Sequence, residues 1–317
     1  MTGPGAGASI SVVVPTFRRA DLLGELLEAT AAQMRGLADP GIELVVVDNC
    51  PDQSARAVTR PFLASGAVRY IAEPRAGVVH ARNAGVRAAR GAHVLFLDDD
   101  EVPAPGWLAA FRAAALGGAD MAIGRIVARY ANPPPPHLRA LLERLYARDC
   151  PAPPLAVVAA RDVRLGTGNA LFRRALLDRE AAFDPRFNRA GGEDMFLIGG
   201  LLARGVRVVW VPDGLVEEIV PADRMQPEHL GRRRFTQGQI RCLVIAAAGG
   251  PRAPVRLAFW MGVGLVQTTL YGARGLVARL AGRETDTWRI RMQGGLGKLF
   301  WRRRAAALSY SGDAAGA

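Results

Sequence analysis

Four acids stand in a row at Asp98, Asp99, Asp100 and Glu101, directly behind the apolar run Val94 to Leu97. Like charges this close repel one another, and folding alone gains nothing from the arrangement. Hard oxygen donors on one loop suit Mg2+ or Mn2+, which would relieve the repulsion and bridge a substrate's phosphates. Asp98 and Asp100, pointing the same way, would share the cation; the plainer alternative is a solvated acidic turn. A second pair, Glu193 and Asp194, follows Gly191 and Gly192 and opens an apolar helical stretch from Met195 to Leu202. Carboxylates in a first helical turn are ordinarily explained by capping and the helix dipole. The glycines add a second reading: they let backbone pass close to a ligand, and the helix terminus favours the ionised carboxylate that a general base needs.

These groups need a scaffold, and the first hundred residues supply its pattern. Ile10 to Val14, Ile42 to Val47, Val68 to Ile71 and His93 to Leu97 are short apolar strands. Between them, Ala20 to Met34, Gln53 to Ala64 and Val78 to Ala89 are helical. Strands apolar along their whole length, alternating with helices, indicate a parallel sheet covered on both faces. In such α/β sheets the ligand sits beyond the carboxyl ends of the strands, where Pro15, Thr16, Phe17 and Arg18, then Asp48 and Asn49, then Glu73 to Arg75, then the acidic run are found.

The second half is mixed. Met121 to Tyr130, Leu165 to Arg173 and Val206 to Val211 are expected strands, Asp184 to Gly192 a loop, and Glu193 to Arg204 a helix. Beyond Pro221 the spacing predicts three helices, Gln226 to Ala248, Pro254 to Ala281 and Thr287 to Ala307.

Taken in order, the motifs resemble those of the family 2 glycosyltransferases. They are Val12-Val13-Val14-Pro15-Thr16-Phe17-Arg18, Val45-Val46-Val47-Asp48-Asn49, Gly77 through Ala81-Arg82-Asn83-Ala84-Gly85, Phe96-Leu97-Asp98-Asp99-Asp100 leading to Pro105-Gly106-Trp107-Leu108, Gly168-Asn169-Ala170, and Gly191-Gly192-Glu193-Asp194. The resemblance implies a GT-A fold, an α/β Rossmann-like nucleotide-diphospho-sugar transferase with a mainly parallel central sheet. It implies an inverting, metal-dependent hexosyltransferase that takes a nucleotide-sugar donor, a UDP-sugar first among them, and Mn2+ or Mg2+. By position, Pro15, Thr16, Arg18, Asp48, Arg82, Asn83 and Asp98 would bind the donor nucleotide, Asp98 and Asp100 the metal. Asp194 would be the base, with Glu193 supporting it. Many relatives carry a histidine ligand after the last strand, where this chain reads Leu215-Val216-Glu217-Glu218-Ile219; His229 nearby is expected at the surface.

Val216 to Arg224, Arg232-Arg233-Arg234-Phe235 and Gly238 resemble exopolysaccharide glucosyltransferases of the succinoglycan type. That likeness implies a lipid-linked saccharide acceptor, met by Gly191, Gly192, Arg233 and Arg234.

Net charge supports a division of the chain. The formal total is +12, yet residues 224 to 304 hold 16 Lys and Arg against three acids, leaving a nearly neutral remainder. The expected layout is a catalytic domain over 1–222, with a nucleotide half (1–115) and an acceptor half (116–222), then a basic helical extension over 223–317. The extension contains Leu257 to Ala273, 17 residues without charge and flanked by arginines, which suits an interfacial or re-entrant helix on an anionic membrane surface better than a spanning one; the plainer alternative is a helix packed on the catalytic domain. Scattered Cys50, Cys150 and Cys242 and the lack of a signal-like N-terminus point to a cytoplasmic protein, peripheral on the inner face of the plasma membrane. The basic tail lacks a nucleic-acid recognition motif, so a nucleic-acid-binding role is disfavoured. A sugar-nucleotide pyrophosphorylase would need a glycine-rich, lysine-containing loop after the first strand, which is not there, and no phosphate-binding loop of the kinase type is present.

Overall fold

The structure, a computed structural model, describes residues 9–177 and 181–302. The chain opens with β1 (Ile10–Thr16), α1 (Ala20–Leu37), β2 (Ile42–Asp48), a short α2 (Arg56–Thr59) that tightens into a 3-10 turn, β3 (Val68–Ala72), α3 (Val78–Ala88) and β4 (His93–Phe96). It continues through β5 (Glu101–Pro103), α4 (Trp107–Leu116), β6 (Met121–Tyr130), α5 (Arg139–Tyr146), β7 (Val157–Val158), β8 (Ala170–Arg173), α6 (Glu193–Ala203) and β9 (Val208–Val220). Three helices end it, α7 (Pro227–Ala248), α8 (Ala253–Leu280) and α9 (Asp286–Leu299). The expected continuation of the last helix to Ala307 lies partly outside the described residues, as do residues 1–8 of the catalytic half and 303–317 of the extension.

One sheet organises the whole, in the order β3-β2-β1-β4-β8-β6-β9-β5, with β7 beside β9. The first four strands are parallel, as their unbroken apolar character requires. β8 runs antiparallel to both β4 and β6, and β9 runs parallel to β6. Alternation along β1 divides the core: Val12 and Val14 meet α1 and α4, through Leu23, Leu26, Leu27, Trp107 and Phe111. Val13 faces α3, Phe96, Phe172 and α6.

Three expectations change, and two helices come in addition. The helix over Gln53 to Ala64 is a single α turn, because Pro61 cannot donate a backbone bond. The strand from Leu165 begins only at Ala170; before it the chain is irregular, with Asn169 at φ 50°. The strand from Val206 runs much further, to Val220, because a register shift between Gly124 and Ile126 lets its second half keep pairing with β6 while β5 closes its other edge. Helices α4 and α5, which no expectation named, cover the sheet and its lower end.

The extension does not hang free. Leu138, Leu141, Leu142, Leu145 and Tyr146 of the α5 region pack with Val220, Met225, Leu230 and Ile290, joining β9, α7 and α9 in one cluster. The three final helices meet through small residues: a methyl on Gly264 would lie 2.9 Å from the Gly295 carbonyl, and one on Gly238 2.5 Å from that of Gly294. Among the described residues, no helix is long and apolar enough to cross a membrane.

Candidate active site

The acidic run turns sharply as β4 ends. Glu101 donates its amide to the Asp98 carbonyl at 3.0 Å, while Asp98 donates its own to Glu101 Oε2 at 3.0 Å. The four side chains then go to different partners. Asp99 is buried, accepting from Thr16 Oγ1 (2.9 Å) and Arg19 Nη1 (2.8 Å), and burial pushes its carboxyl up to about 6 against the pull of Arg19. Asp100 Oδ2 accepts from Arg19 Nη1 (3.1 Å) and Arg224 Nη1 (2.7 Å), while its carbonyl accepts from the Ile219 amide of β9. Asp98 is the most open, with 31% of its side chain accessible, and its Oδ1 accepts from Arg82 Nη2 at 3.2 Å.

Arg82 joins the two acidic motifs. From the first turns of α3 its Nη1 donates to Glu193 Oε1 at 2.5 Å while Nη2 holds Asp98, so residues 95 positions apart meet on one guanidinium. Glu193 is buried at the start of α6, and burial raises its carboxyl even with Arg82 opposing. Its neighbour Asp194 is half-buried and accepts from the Met195 amide at 2.6 Å.

The irregular segment before β8 lies between these groups. A methyl on Gly168 would stand 2.6 Å from Asp98 Oδ2 and 3.0 Å from Glu101 Oε1; one on Gly166 would stand 3.6 Å from Asp194 Oδ2. Both acidic motifs therefore border the same three residues. Buried Arg148 shapes that segment, donating to the carbonyls of Gly124, Gly168 and Asn169. Asn169 is fixed in turn by Trp107 Nε1 (2.8 Å) and by its own bonds to the Arg125 and Gly214 carbonyls.

The β5–β9 pairing brings Glu101 opposite Glu218. Burial, followed by the nearby Asp100 charge, pushes Glu218 up to about 7, with Arg233 and Arg164 opposing. Burial also lifts Glu101 well above the ordinary carboxylate range, helped by Asp98. Glu217, one residue earlier on the strand, points the other way to Arg129 at 3.2 Å. Arg233 lies over the Tyr146 ring, 4.3 Å from its centroid. His229 is half-buried rather than at the surface, and burial with Arg224 and Arg233 beside it holds its imidazole below the usual range.

Several expected donor or acceptor residues have other work. Asp48 is fully buried, and its oxygens accept from the Cys50 and Ala55 amides and the Tyr70 hydroxyl, contacts that shape the loop after β2. Asn83 clamps both backbone groups of Phe183, donating one Nδ2 hydrogen to its carbonyl and accepting its amide on Oδ1. Pro15 is buried within β1, and Thr16 serves Asp99. Arg18 remains exposed at the sheet edge, with φ 53°, beside Asp52. Gly191 and Gly192 have φ of 72° and 96°, and Ile240 of α7 comes close to them: a methyl on Gly192 would lie 2.6 Å from Ile240 Cγ2. Arg234 departs from its neighbour Arg233 and lies against Gly294 of α9.

Glu101 comes from the acidic run, and Glu218 from the stretch where a glutamate could stand in for the histidine ligand, whereas Arg19, Arg148, Arg164 and Arg224 reach the site without having been assigned to it. Adjacency to Pro15-Thr16-Phe17-Arg18 would have flagged Arg19. Nothing local marks Arg148 or Arg224.

The partly open Asp98 on one side, a second carboxylate pair on the other and guanidiniums between them suit the handling of a phosphorylated sugar and the proton of an attacking hydroxyl. Sheet order and site together define a glycosyltransferase of the GT-A type. The profile described as Glycosyl transferase family 2 matches residues 11–179, and the chain belongs to that family. It is 31% identical over 251 residues to the succinoglycan biosynthesis protein ExoM of Rhizobium meliloti (strain 1021), covering 77% of each chain. It is 29% identical over 230 residues to validoxylamine A glucosyltransferase of Streptomyces hygroscopicus subsp. jinggangensis (strain 5008), covering 64% of this chain and 54% of that protein. Among solved structures, the mannosyltransferase PcManGT of Pyrobaculum calidifontis, in complex with GDP-Man and Mn2+, superposes with a TM-score of 0.57 at 23% identity over 92% of this chain and 85% of that one. S. aureus TarS 1-349 in complex with UDP gives 0.52 at 17% identity over 90% of each.

Proposed function

We propose that this glycosyltransferase moves a hexose from a nucleoside-diphosphate donor, a UDP-sugar first among candidates, to a hydroxyl of a lipid-linked saccharide in polysaccharide assembly, with inversion at the anomeric carbon. The observation that carries the reading is the Arg82 bridge between Asp98 and Glu193, because it sets the donor-side acids and Asp194 around one centre. Asp194 takes the proton of the acceptor hydroxyl as that oxygen attacks. Glu193, buried and tied to Arg82, fixes the α6 terminus that presents it. Arg18, at the open sheet edge, meets the nucleotide. Arg233, on the Tyr146 ring, faces the anionic part of the acceptor, and Arg234 is left out of that role.

Asp98, Asp100 and Glu218 carry the hard oxygens that would hold a divalent cation. Among the described residues these oxygens do not all lie within 4.8 Å of one another, and Asp100 is held by Arg19 and Arg224, so binding would have to draw them together. When bound, Mn2+ or Mg2+ compensates charge on the departing nucleoside diphosphate. The extension 223–317 carries the basic excess and suits attachment to the anionic inner face of the plasma membrane, where a lipid-linked acceptor is found. Nucleic acid has no part in this reading.

Thermal melting with nucleoside diphosphates tests the donor site, since a ligand of the native state raises Tm. UDP with Mn2+ is expected to stabilise the wild type, and Glu218→Gln to weaken the metal dependence of that shift. A flat response to UDP, GDP, TDP and CDP with metal present would remove the donor-site assignment. Asp194→Asn is expected to keep the UDP shift while transfer falls by about 100-fold or more; near-normal turnover would take Asp194 out of the base role.

A further inference from the structure

Helix α8 is 28 residues long, roughly 42 Å at 1.5 Å per residue. Its inner side packs closely, with Gly264 against Gly295 and Gln267 accepting from Lys298 Nζ at 2.8 Å. Its outer side is bare. Val255, Phe259, Val266, Leu270, Val277 and Leu280 are between 44% and 80% exposed. Their spacing of three or four residues, continued by Gly262 and Ala273, draws one stripe along all of the helix. A soluble surface rarely leaves so long an apolar strip to water.

Three occupants would cover it, and charge separates them. Arg252, Arg256, Arg274 and Arg279 border the stripe, Arg283 follows it, and residues 229–283 contain neither Asp nor Glu. A second copy would set these arginines against one another with no acid to pair them. The chain outside the described residues, 1–8 and 303–317, has Met1, Leu308 and Tyr310 as its bulky apolar side chains, too few for a stripe of this length. An anionic lipid surface answers both features at once, taking the apolar side chains into the acyl boundary while the arginine stems reach headgroup phosphates.

Resting on the reading that the extension meets a membrane, we infer that the outer stripe of α8 is the membrane seat, lying in the plane of an anionic bilayer. That orientation makes α8 a floor under the catalytic domain, since α9 packs on both α7 and α8 and is tied to the domain core through Ile290.

Flotation of the full chain with phosphatidylglycerol-containing vesicles, and with neutral phosphatidylcholine vesicles, provides the test. The wild type is expected to float with the anionic vesicles, at least tenfold less with neutral ones, and less as salt is raised. Phe259→Asp with Val266→Asp should lower anionic flotation at least tenfold with Tm and UDP response unchanged, because both side chains already face solvent. The milder Val266→Ser with Val277→Ser should give a smaller loss in the same direction, and keeps the test valid if the aspartates impair folding. Wild-type flotation retained by both pairs would overturn the α8 seat and leave membrane attachment standing. No wild-type flotation on any vesicle would overturn attachment itself. Equal binding to neutral vesicles would overturn the anionic commitment. A lipid-free dimer that both pairs make monomeric would assign the stripe to a second copy instead.

Discussion

At the scale of single residues, the site is a lattice of guanidiniums threaded through carboxylates, and Arg82 is its joint. Removing one partner of a buried pair leaves the other charge uncompensated, at a cost of about 3–5 kcal/mol. Arg82→Met is therefore expected to lower the urea midpoint markedly, because Glu193 stays buried with no cation to offset it. The sign with pH follows from Glu193, whose carboxyl burial already raises. Without Arg82 it rises further, so the penalty is largest near neutrality and shrinks on acidification, once Glu193 carries a proton in both folded and unfolded chains. Urea titrations at pH 7 and pH 5 measure this; an equal loss at both would show that Arg82 acts through its packing on the Phe183 ring, 5.6 Å from its centroid, instead of through charge. Position at the sheet edge identified the neighbourhood of Asp48, and the family resemblance that of Asn83, but neither gave their partners. Asp48 accepts from two backbone amides and the Tyr70 hydroxyl, and Asn83 bonds both backbone groups of Phe183, contacts set by loops whose geometry no local pattern encodes.

Elements position these residues, and they differ in how plainly their sequences announce them. The four parallel strands were readable because burial on both faces demands unbroken apolar runs. α5 was not, although Leu141, Leu142, Leu145 and Tyr146 recur at helical spacing, since it is only eight residues long and follows a proline-rich loop. The long β9 was hidden by Pro212, Asp213 and Gly214, which read as a stop yet occupy the register shift where the strand bends. The α6 terminus was placed correctly, and its glycines, read as room for a ligand, also give room to α7. Gly192→Ala tests that explanation. The new methyl would be strained at φ 96° and would press on Ile240 of α7, so a destabilisation of about 1–3 kcal/mol is expected in urea melts. Ile240→Ala placed in the Gly192→Ala background should recover part of it, since it removes the colliding Cγ2. No recovery would leave backbone strain as the whole cost and free the glycines for a ligand once more.

For the whole molecule, the charge division between body and tail suggested two parts, and the packing shows that they share a core. Leu138, Leu142 and Tyr146 are buried on a cluster whose far side is supplied by Leu230 and Ile290, so the catalytic domain borrows part of its interior from the helices that follow it. Full burial of one such side chain contributes about 1.5–3 kcal/mol. Ending the chain after Gly250 would delete α8 and α9, withdraw Ile290 and expose the glycine-lined face of α7. A drop in Tm of several degrees is expected for the shortened chain, along with a weakened UDP response, because α7 is the element that packs over Gly192 and carries Arg233. An extension attached only by a linker would leave both quantities unchanged. Loss of membrane binding by such a truncation would therefore not isolate the outer surface of α8, since the same cut disturbs the transfer site; substitutions confined to that surface separate the two roles.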